Sequence, residues 1–270
     1  MKKFLAVLSS FAVVLGVYVA PFAAHAATAP STTIVALSSI QAGDLVRSPS
    51  YSAVYYYGYD GFRYVFPNDK TYFTWYKDFS GVKMISDADM GTIQIGGNVT
   101  YKPGVRMLKI ESDPKTYAVD AGGTLRWVST EAVAVALYGG NWNTMIDDVP
   151  DAFFPNYKQG QEIDSVSDFN VTGAIAAAID IDHDKDLKAP AYISINDNAF
   201  SPATVTVTVN SPVKITNTGT ETHTATADDL TWGSGPLTPG QSFSRYFKTA
   251  GTYTYTDTLY PTLKGTIIVQ

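Results

Sequence analysis

The tightest constraint on this chain lies in residues 199–269. Thr204-Val205-Thr206-Val207-Thr208-Val209 alternates strictly between polar and apolar side chains, and Gly251-Thr252-Tyr253-Thr254-Tyr255 and Thr266-Ile267-Ile268-Val269 are further strand-like runs. A period of two places successive side chains on opposite faces of a strand, so each run has an apolar face that another layer must cover. Short alternating segments of this kind, rich in Thr and Tyr, read as strand-rich. The 270 residues contain no cysteine, so core packing must hold the sheets together without disulfides.

The same segment carries a recognisable order. Ala199-Phe200-Ser201-Pro202 precedes the Thr-Val run, Thr222-His223-Thr224 follows it, and Pro261-Thr262-Leu263-Lys264-Gly265-Thr266 leads into the final apolar strand. This order resembles the cupredoxin family of plastocyanin/azurin type. There the Gly-Thr-Tyr strand is followed by Cys, two residues, His, two residues, Met, and then Lys-Gly-Thr. The resemblance implies a Greek-key sandwich over 191–270 and places His223 at the first histidine ligand. The Cys, His and Met positions hold Asp257, Tyr260 and Leu263. A blue-copper site needs a thiolate, two imidazoles and usually an axial thioether. The chain has no Cys, and no Met after Met145.

Ligand loops converge in this fold, so the resemblance also implies that His223, Asp257, Tyr260 and Leu263 stay neighbours. They are expected to be vestigial copper positions with no cofactor, Asp257 bonding His223 while Tyr260 and Leu263 fill the space. The alternative is copper, or another hard or borderline metal, held by a carboxylate, a phenol and one imidazole.

At the other end, Lys2 and Lys3 precede an apolar run from Phe4 to Val19, and Ala24-His25-Ala26 offers small residues for cleavage before Ala27. This layout reads as a secretory signal peptide over 1–26, and the run is short for a span of about 20 apolar residues. The expected localisation is exported: extracellular, cell surface or periplasmic, with no transmembrane segment after cleavage. The formal net charge is −6, and loss of Lys2 and Lys3 makes the remainder more acidic, which argues against nucleic acid or an anionic membrane as partner.

Punctuation divides what remains. Residues 27–45 read as a small, polar tether, 46–163 as an α+β domain, 164–190 as an acidic, Ala-rich linker and 191–270 as the cupredoxin-like domain. Within 46–163, Val54 to Phe66 and Thr116 to Val128 each read as two strands joined by an Asp/Gly turn. Each is followed by a helical pattern with a capping residue, Asn68 or Ser129/Thr130. Arg63 and Arg126 hold matching places, as do Tyr76 and Tyr138, so two β-hairpin–helix repeats are expected. Residues 50–160 resemble domains of secreted bacterial surface proteins, a resemblance that implies no activity.

Twelve of the 25 residues from Tyr55 to Phe79 are aromatic. Flat rings stack on the apolar faces of pyranoses, which makes Tyr55, Tyr57, Tyr59 and Trp75 candidates for a glycan or partner surface. Alternation would send about half of such aromatics into the core. Asp180, Asp182, Asp184 and Asp186 sit at alternate positions, but neither EF-hand register supplies the required Gly and distal acid, so a solvated acidic linker is expected. No nucleophile elbow, zinc-protease motif or phosphate loop occurs, and past residue 26 the histidines are His183 and His223 alone. The expected function is a secreted or cell-surface, non-catalytic binding or scaffold protein whose partner is a cell-envelope protein or glycan. A copper-binding or electron-transfer protein is one alternative, and a glycan- or cell-wall-binding module is the other.

Overall fold

Strands here are short and are organised by their turns and caps. The computed structural model describes residues 29–270, so the segment read as a signal peptide lies outside the described residues. The first sheet contains β1 (Leu45–Arg47), β2 (Tyr55–Tyr57), β3 (Arg63–Val65), β4 (Val82–Met84) and β5 (Ile95–Asn98), in the order β4-β1-β2-β3-β5. The neighbours β1/β2 and β2/β3 are antiparallel, and β1/β4 and β3/β5 are parallel. Helix α1 (Asp69–Trp75) follows β3 and α2 (Asp87–Thr92) follows β4. Gly61 turns the β2–β3 hairpin at φ +83, a region where an L side chain is strained. The Asn68 side chain caps α1 by accepting the Thr71 N–H at 2.8 Å.

The second sheet contains β6 (Met107–Ile110), β7 (Asp113–Asp120), β8 (Thr124–Trp127), β9 (Ile146–Val149) and β10 (Lys158–Gln159), in the order β10-β8-β7-β6-β9. Here β6/β7 and β7/β8 are antiparallel, while β6/β9 and β8/β10 are parallel. Helix α3 (Glu131–Tyr138) follows β8, and Thr130 caps it by accepting the Val133 N–H at 3.3 Å.

Two expectations are corrected at this level. Residues 164–190 are not a solvated linker: α4 (Val171–Ala177) and α5 (Ile181–Lys185) pack back onto the preceding sheets. Ile181 is fully buried with Tyr56 and Tyr64, and Phe169 joins the core of Met107 and Ile163. The aspartates serve the backbone. Asp180 caps α5 through the His183 N–H at 2.8 Å, Asp182 accepts the Tyr59 N–H at 2.9 Å, and buried Asp184 accepts the Gly122 N–H at 2.8 Å. Part of the stretch read as a tether, 27–45, is also packed. Val35 donates its N–H to Met84 O at 2.8 Å, and Val35, Leu37 and Ile40 cover the Val46, Ile85, Met90 and Ile93 cluster.

The cupredoxin-like β-sandwich comprises β11 (Ala191–Asn196), β12 (Ala199–Ser201), β13 (Thr204–Val207), β14 (Ser211–Asn217), β15 (Thr226–Ala227), β16 (Ser242–Phe247), β17 (Gly251–Thr256) and β18 (Lys264–Val269). Its sheets run β12-β11-β14-β16 and β13-β18-β17-β15. Ile193, Ile195, Ile215, Trp232, Phe247, Tyr255 and Ile267 meet between them.

The first sheet and the sandwich meet at Asp60. This carboxylate is fully buried and accepts the Phe62 N–H at 3.1 Å, the Tyr64 hydroxyl and, from β16, the Tyr246 hydroxyl at 2.6 Å. Beside it the Gln94 side chain pairs with the Ser244 backbone, donating to its carbonyl at 3.1 Å and accepting its N–H. An edge strand leaves such groups unpaired, and Gln94 satisfies them as a neighbouring strand would. Asp60→Ala should therefore cost about 3 kcal/mol, because it strands buried donors from both sides of the junction. Urea unfolding followed by fluorescence reads this directly, and a change below about 1 kcal/mol would remove Asp60 as the junction's anchor.

Candidate functional site

Turns at one end of the sandwich bring together the four positions singled out in the sequence. The isolated bridge between His223 and Leu237 fixes the His223 backbone, with N–H···O distances of 3.0 and 2.8 Å. Past the end of β17, the 257–263 turn is closed by the Asp257 N–H to Leu263 O at 3.0 Å and by Leu263 N–H to Tyr260 O at 2.9 Å. His223 and Asp257 are both fully buried, and His223 Nδ1 lies 2.7 Å from Asp257 Oδ2. Tyr260 lays its ring 5.0 Å from the imidazole, centre to centre, while remaining 39% exposed, and Leu263 is buried in the adjoining core.

A further member was not read from the sequence. Asp197, in the turn between β11 and β12, places Oδ1 3.1 Å from His223 Nε2. Its carboxylate also accepts the Thr220 N–H at 2.9 Å, the Thr220 hydroxyl at 2.8 Å and the Glu221 N–H at 3.2 Å. The signal available was only an Asn196-Asp197-Asn198 turn, 26 residues from its partner. Asp257 Oδ1 is occupied as well, by Thr224 N–H and Oγ1 at 3.1 Å each and by Leu259 N–H at 3.0 Å.

A carboxylate on each ring nitrogen has a chemical consequence. Neutral imidazole has one N–H, so one nitrogen would aim a lone pair at a carboxylate oxygen, whereas imidazolium donates to both. Burial pulls the His223 pKa down, but the hydrogen bonds and charges of Asp257 and Asp197 outweigh it, leaving it above 6.5. Burial likewise pushes Asp257 up, and the bonds from His223, Leu259 and Thr224 bring it below its ordinary value. The His223 bond, followed by those from Thr220 and Glu221, holds Asp197 far below its ordinary value.

The donor set does not fit a copper centre. No sulfur ligand is present, both imidazole nitrogens face carboxylates, and the axial position is an aliphatic side chain. Asp197 and Asp257 lie on opposite edges of the ring and do not converge on a common point. Among the described residues no group of three or more His, Cys, Asp or Glu could hold a metal ion.

The aromatic candidates are dispersed. Tyr55 and Tyr57 are half-buried against the Val46 cluster, and Arg63 sits 4.8 Å above the Tyr55 ring. Trp75 packs in the Tyr56 cluster, donates Nε1–H to Thr100 O at 2.8 Å and carries Lys102 on its ring, whereas Tyr59 is 55% exposed. The four do not share one exposed face, because Tyr55, Tyr57 and Trp75 are half-buried in separate packing environments.

The pH signature of this site has a definite sign. Stability from the raised histidine is fully present below the unfolded value near 6.5 and is lost as pH rises through the higher folded value. Stability from the lowered carboxylates is present above about 3.9 and is lost as pH falls through their folded values. NMR titration should place the His223 pKa above 6.5, and a value below 6 would refute the doubly bonded imidazolium. His223→Leu should destabilise the fold by about 3–5 kcal/mol at about pH 6, where the ring is charged, since it leaves Asp257 buried without its cation.

A family model described as "Cupredoxin-like domain" matches residues 171–269, taking in α4 and α5 as well as the strands. No curated protein matches the chain. Similar solved structures include a purple cupredoxin from Nitrosopumilus maritimus, at 24% identity over 30% of this chain and 99% of that one, with a TM-score of 0.29. A copper-containing nitrite reductase (NirK) from Thermus scotoductus SA-01 has 22% identity over 31% of this chain and 23% of its own, with a TM-score of 0.30. A reduced amicyanin mutant has 23% identity over 30% and 82%, with a TM-score of 0.28. Residues 171–269 of this chain are a cupredoxin-like domain.

Proposed function

We propose that the chain is an exported, non-catalytic binding or scaffold protein of a bacterial cell envelope, in which the cupredoxin-like domain works without copper. The observation that carries this reading is the imidazole of His223, held by Asp257 on one nitrogen and Asp197 on the other. Where the resemblance would put a ligand, the lone pair a metal needs is replaced by a proton. An internal salt triad then joins the two loops that hold the ligand positions of a copper site, and adds a third, the turn at Asp197.

Supporting observations come from the rest of the chain. Residues 1–26 have the residue pattern of an export signal, and among the described residues no helix is long and apolar enough to cross a membrane. The N-terminal region, 46–163, is read as a duplication. In its favour, both sheets combine a central antiparallel trio with one parallel strand at each edge, and a helix follows the third strand in each. The duplicated unit would then be larger than a hairpin and helix, running over 45–98 and 107–159. The Greek-key connectivity of 191–270 belongs to the same reading, as does a partner drawn from envelope proteins or glycans.

Copper titration separates this reading from electron transfer. The purified chain should show no intense thiolate-to-copper absorption, and Cu(II) should bind no more tightly to it than to its His223→Ala variant. Sub-micromolar copper affinity that disappears in His223→Ala would overturn the copper-free reading.

A further inference from the structure

A cleft of about 460 Å³ lies where α2 and the β2–β3 hairpin face the outer surface of β14 and β16. Its size and its place between two packed units are those at which small ligands usually bind. It lies on the face of the sheet opposite the core and is separate from the His223 site, whose residues do not line it. Tyr57, Gly61 and Lys214 form one end, and Asp89, Thr92 and Gln241 lie in the other walls.

At the Gly61 end two polar groups border open space. A side-chain atom placed on the Gly61 Cα would find Lys214 Nζ and the Tyr57 hydroxyl each 3.9 Å away, with no non-adjacent residue nearer. An ammonium and a phenol therefore flank one open point. Neither has a hydrogen-bond or ion-pair partner among the described residues. The nearby Asp60 carboxylate accepts from Tyr64, Tyr246 and the Phe62 N–H and makes no ion pair with the lysine. Burial lowers the Lys214 pKa and no acid restores it, so the charge is partly desolvated without compensation. That is the arrangement an incoming anion would relieve.

The remaining walls restrict what the anion belongs to. Asp89 uses Oδ2 on the Ser86 hydroxyl and has Oδ1 free, while Gln241 accepts the Thr238 N–H through Oε1 and has its amide N–H₂ free. A free acceptor and a free donor suit hydroxyls, and the Asp89 charge repels a second anionic group. We infer that this cleft binds a carboxylate-bearing saccharide, with its carboxylate over Gly61 between Lys214 and Tyr57 and its hydroxyls toward Asp89 and Gln241. This adds a ligand class to the envelope-binding reading and is independent of whether His223 binds copper.

Titration calorimetry on the whole described chain, residues 29–270, tests it with D-glucuronate, D-glucose and propionate as probes. Glucuronate should bind more tightly than either of the others, and Lys214→Met should weaken it by about tenfold or more, the scale of one charge-assisted hydrogen bond. Tyr57→Phe should weaken it less. Gly61→Asn should block it, since Asn tolerates positive φ and its amide would occupy the open point. Lys214→Gln provides a second charge-removing variant should Lys214→Met unfold. Glucuronate binding unchanged in Lys214→Met or Lys214→Gln and in Gly61→Asn, or no binding at millimolar concentration, would overturn the site. Propionate binding as tightly as glucuronate would overturn its assignment to a saccharide. Copper titration is silent on all of these outcomes, so the two readings fail separately.

Discussion

A buried carboxylate must be saturated with donors or it destabilises whatever surrounds it. Asp60 imposes that demand where the first sheet meets the sandwich. Its donors come from its own turn at Phe62, from β3 at Tyr64 and from β16 at Tyr246, so no single element can satisfy it. The demand fixes the hairpin turn, aligns β16 against it and brings Gln94 onto the backbone of Ser244. The cleft beside Lys214 follows from that placement, since Gly61 is the next residue in the same turn.

The far end of the sandwich uses the same physics with the opposite charge added. Asp257 is saturated by backbone and hydroxyl donors on one oxygen and by His223 on the other. His223 in turn reaches Asp197. Two carboxylates around one imidazolium leave a net negative charge, and the partial exposure of Asp197 at 37% lets solvent screen it. Replacing such a triad with apolar residues of similar volume can be neutral in stability, so its value lies in fixing which loops meet.

How much of this was legible follows from the range of each interaction. The sandwich was readable because alternation in Thr204–Val207 and the order of motifs up to Lys264 are local properties of the chain. The neighbourhood of His223, Asp257, Tyr260 and Leu263 was readable through the resemblance. Asp197 was not, because a polar turn residue looks the same whether or not a loop 26 residues away docks on it. Residues 164–190 misled for a related reason. Asp180, Asp182 and Asp184 have the composition of a solvated linker, yet Ile181 anchors them in the core, and their oxygens meet backbone N–H groups from Tyr59, Gly122 and His183. Composition registers charge and not the donors that meet it.

Two tyrosine rings are seated over strand glycines. In β5, the position a Gly96 Cβ would occupy lies 2.5 Å from the Tyr64 ring, and in β18 the position over Gly265 lies 2.2 Å from that of Tyr255. Neither glycine is needed for an unusual φ; each is needed because an added Cβ would collide with a tyrosine ring from the neighbouring strand. Glycine in a strand interior weakens it through lost packing and backbone entropy, and a ring laid over it restores the lost contact. The two seats stand at the two centres of the molecule: Tyr64 donates to Asp60 at the junction, and Tyr255 lies in the sandwich core two residues before Asp257. Tyr64, one of the aromatics whose density suggested a glycan surface, is therefore a packing residue beside a buried carboxylate.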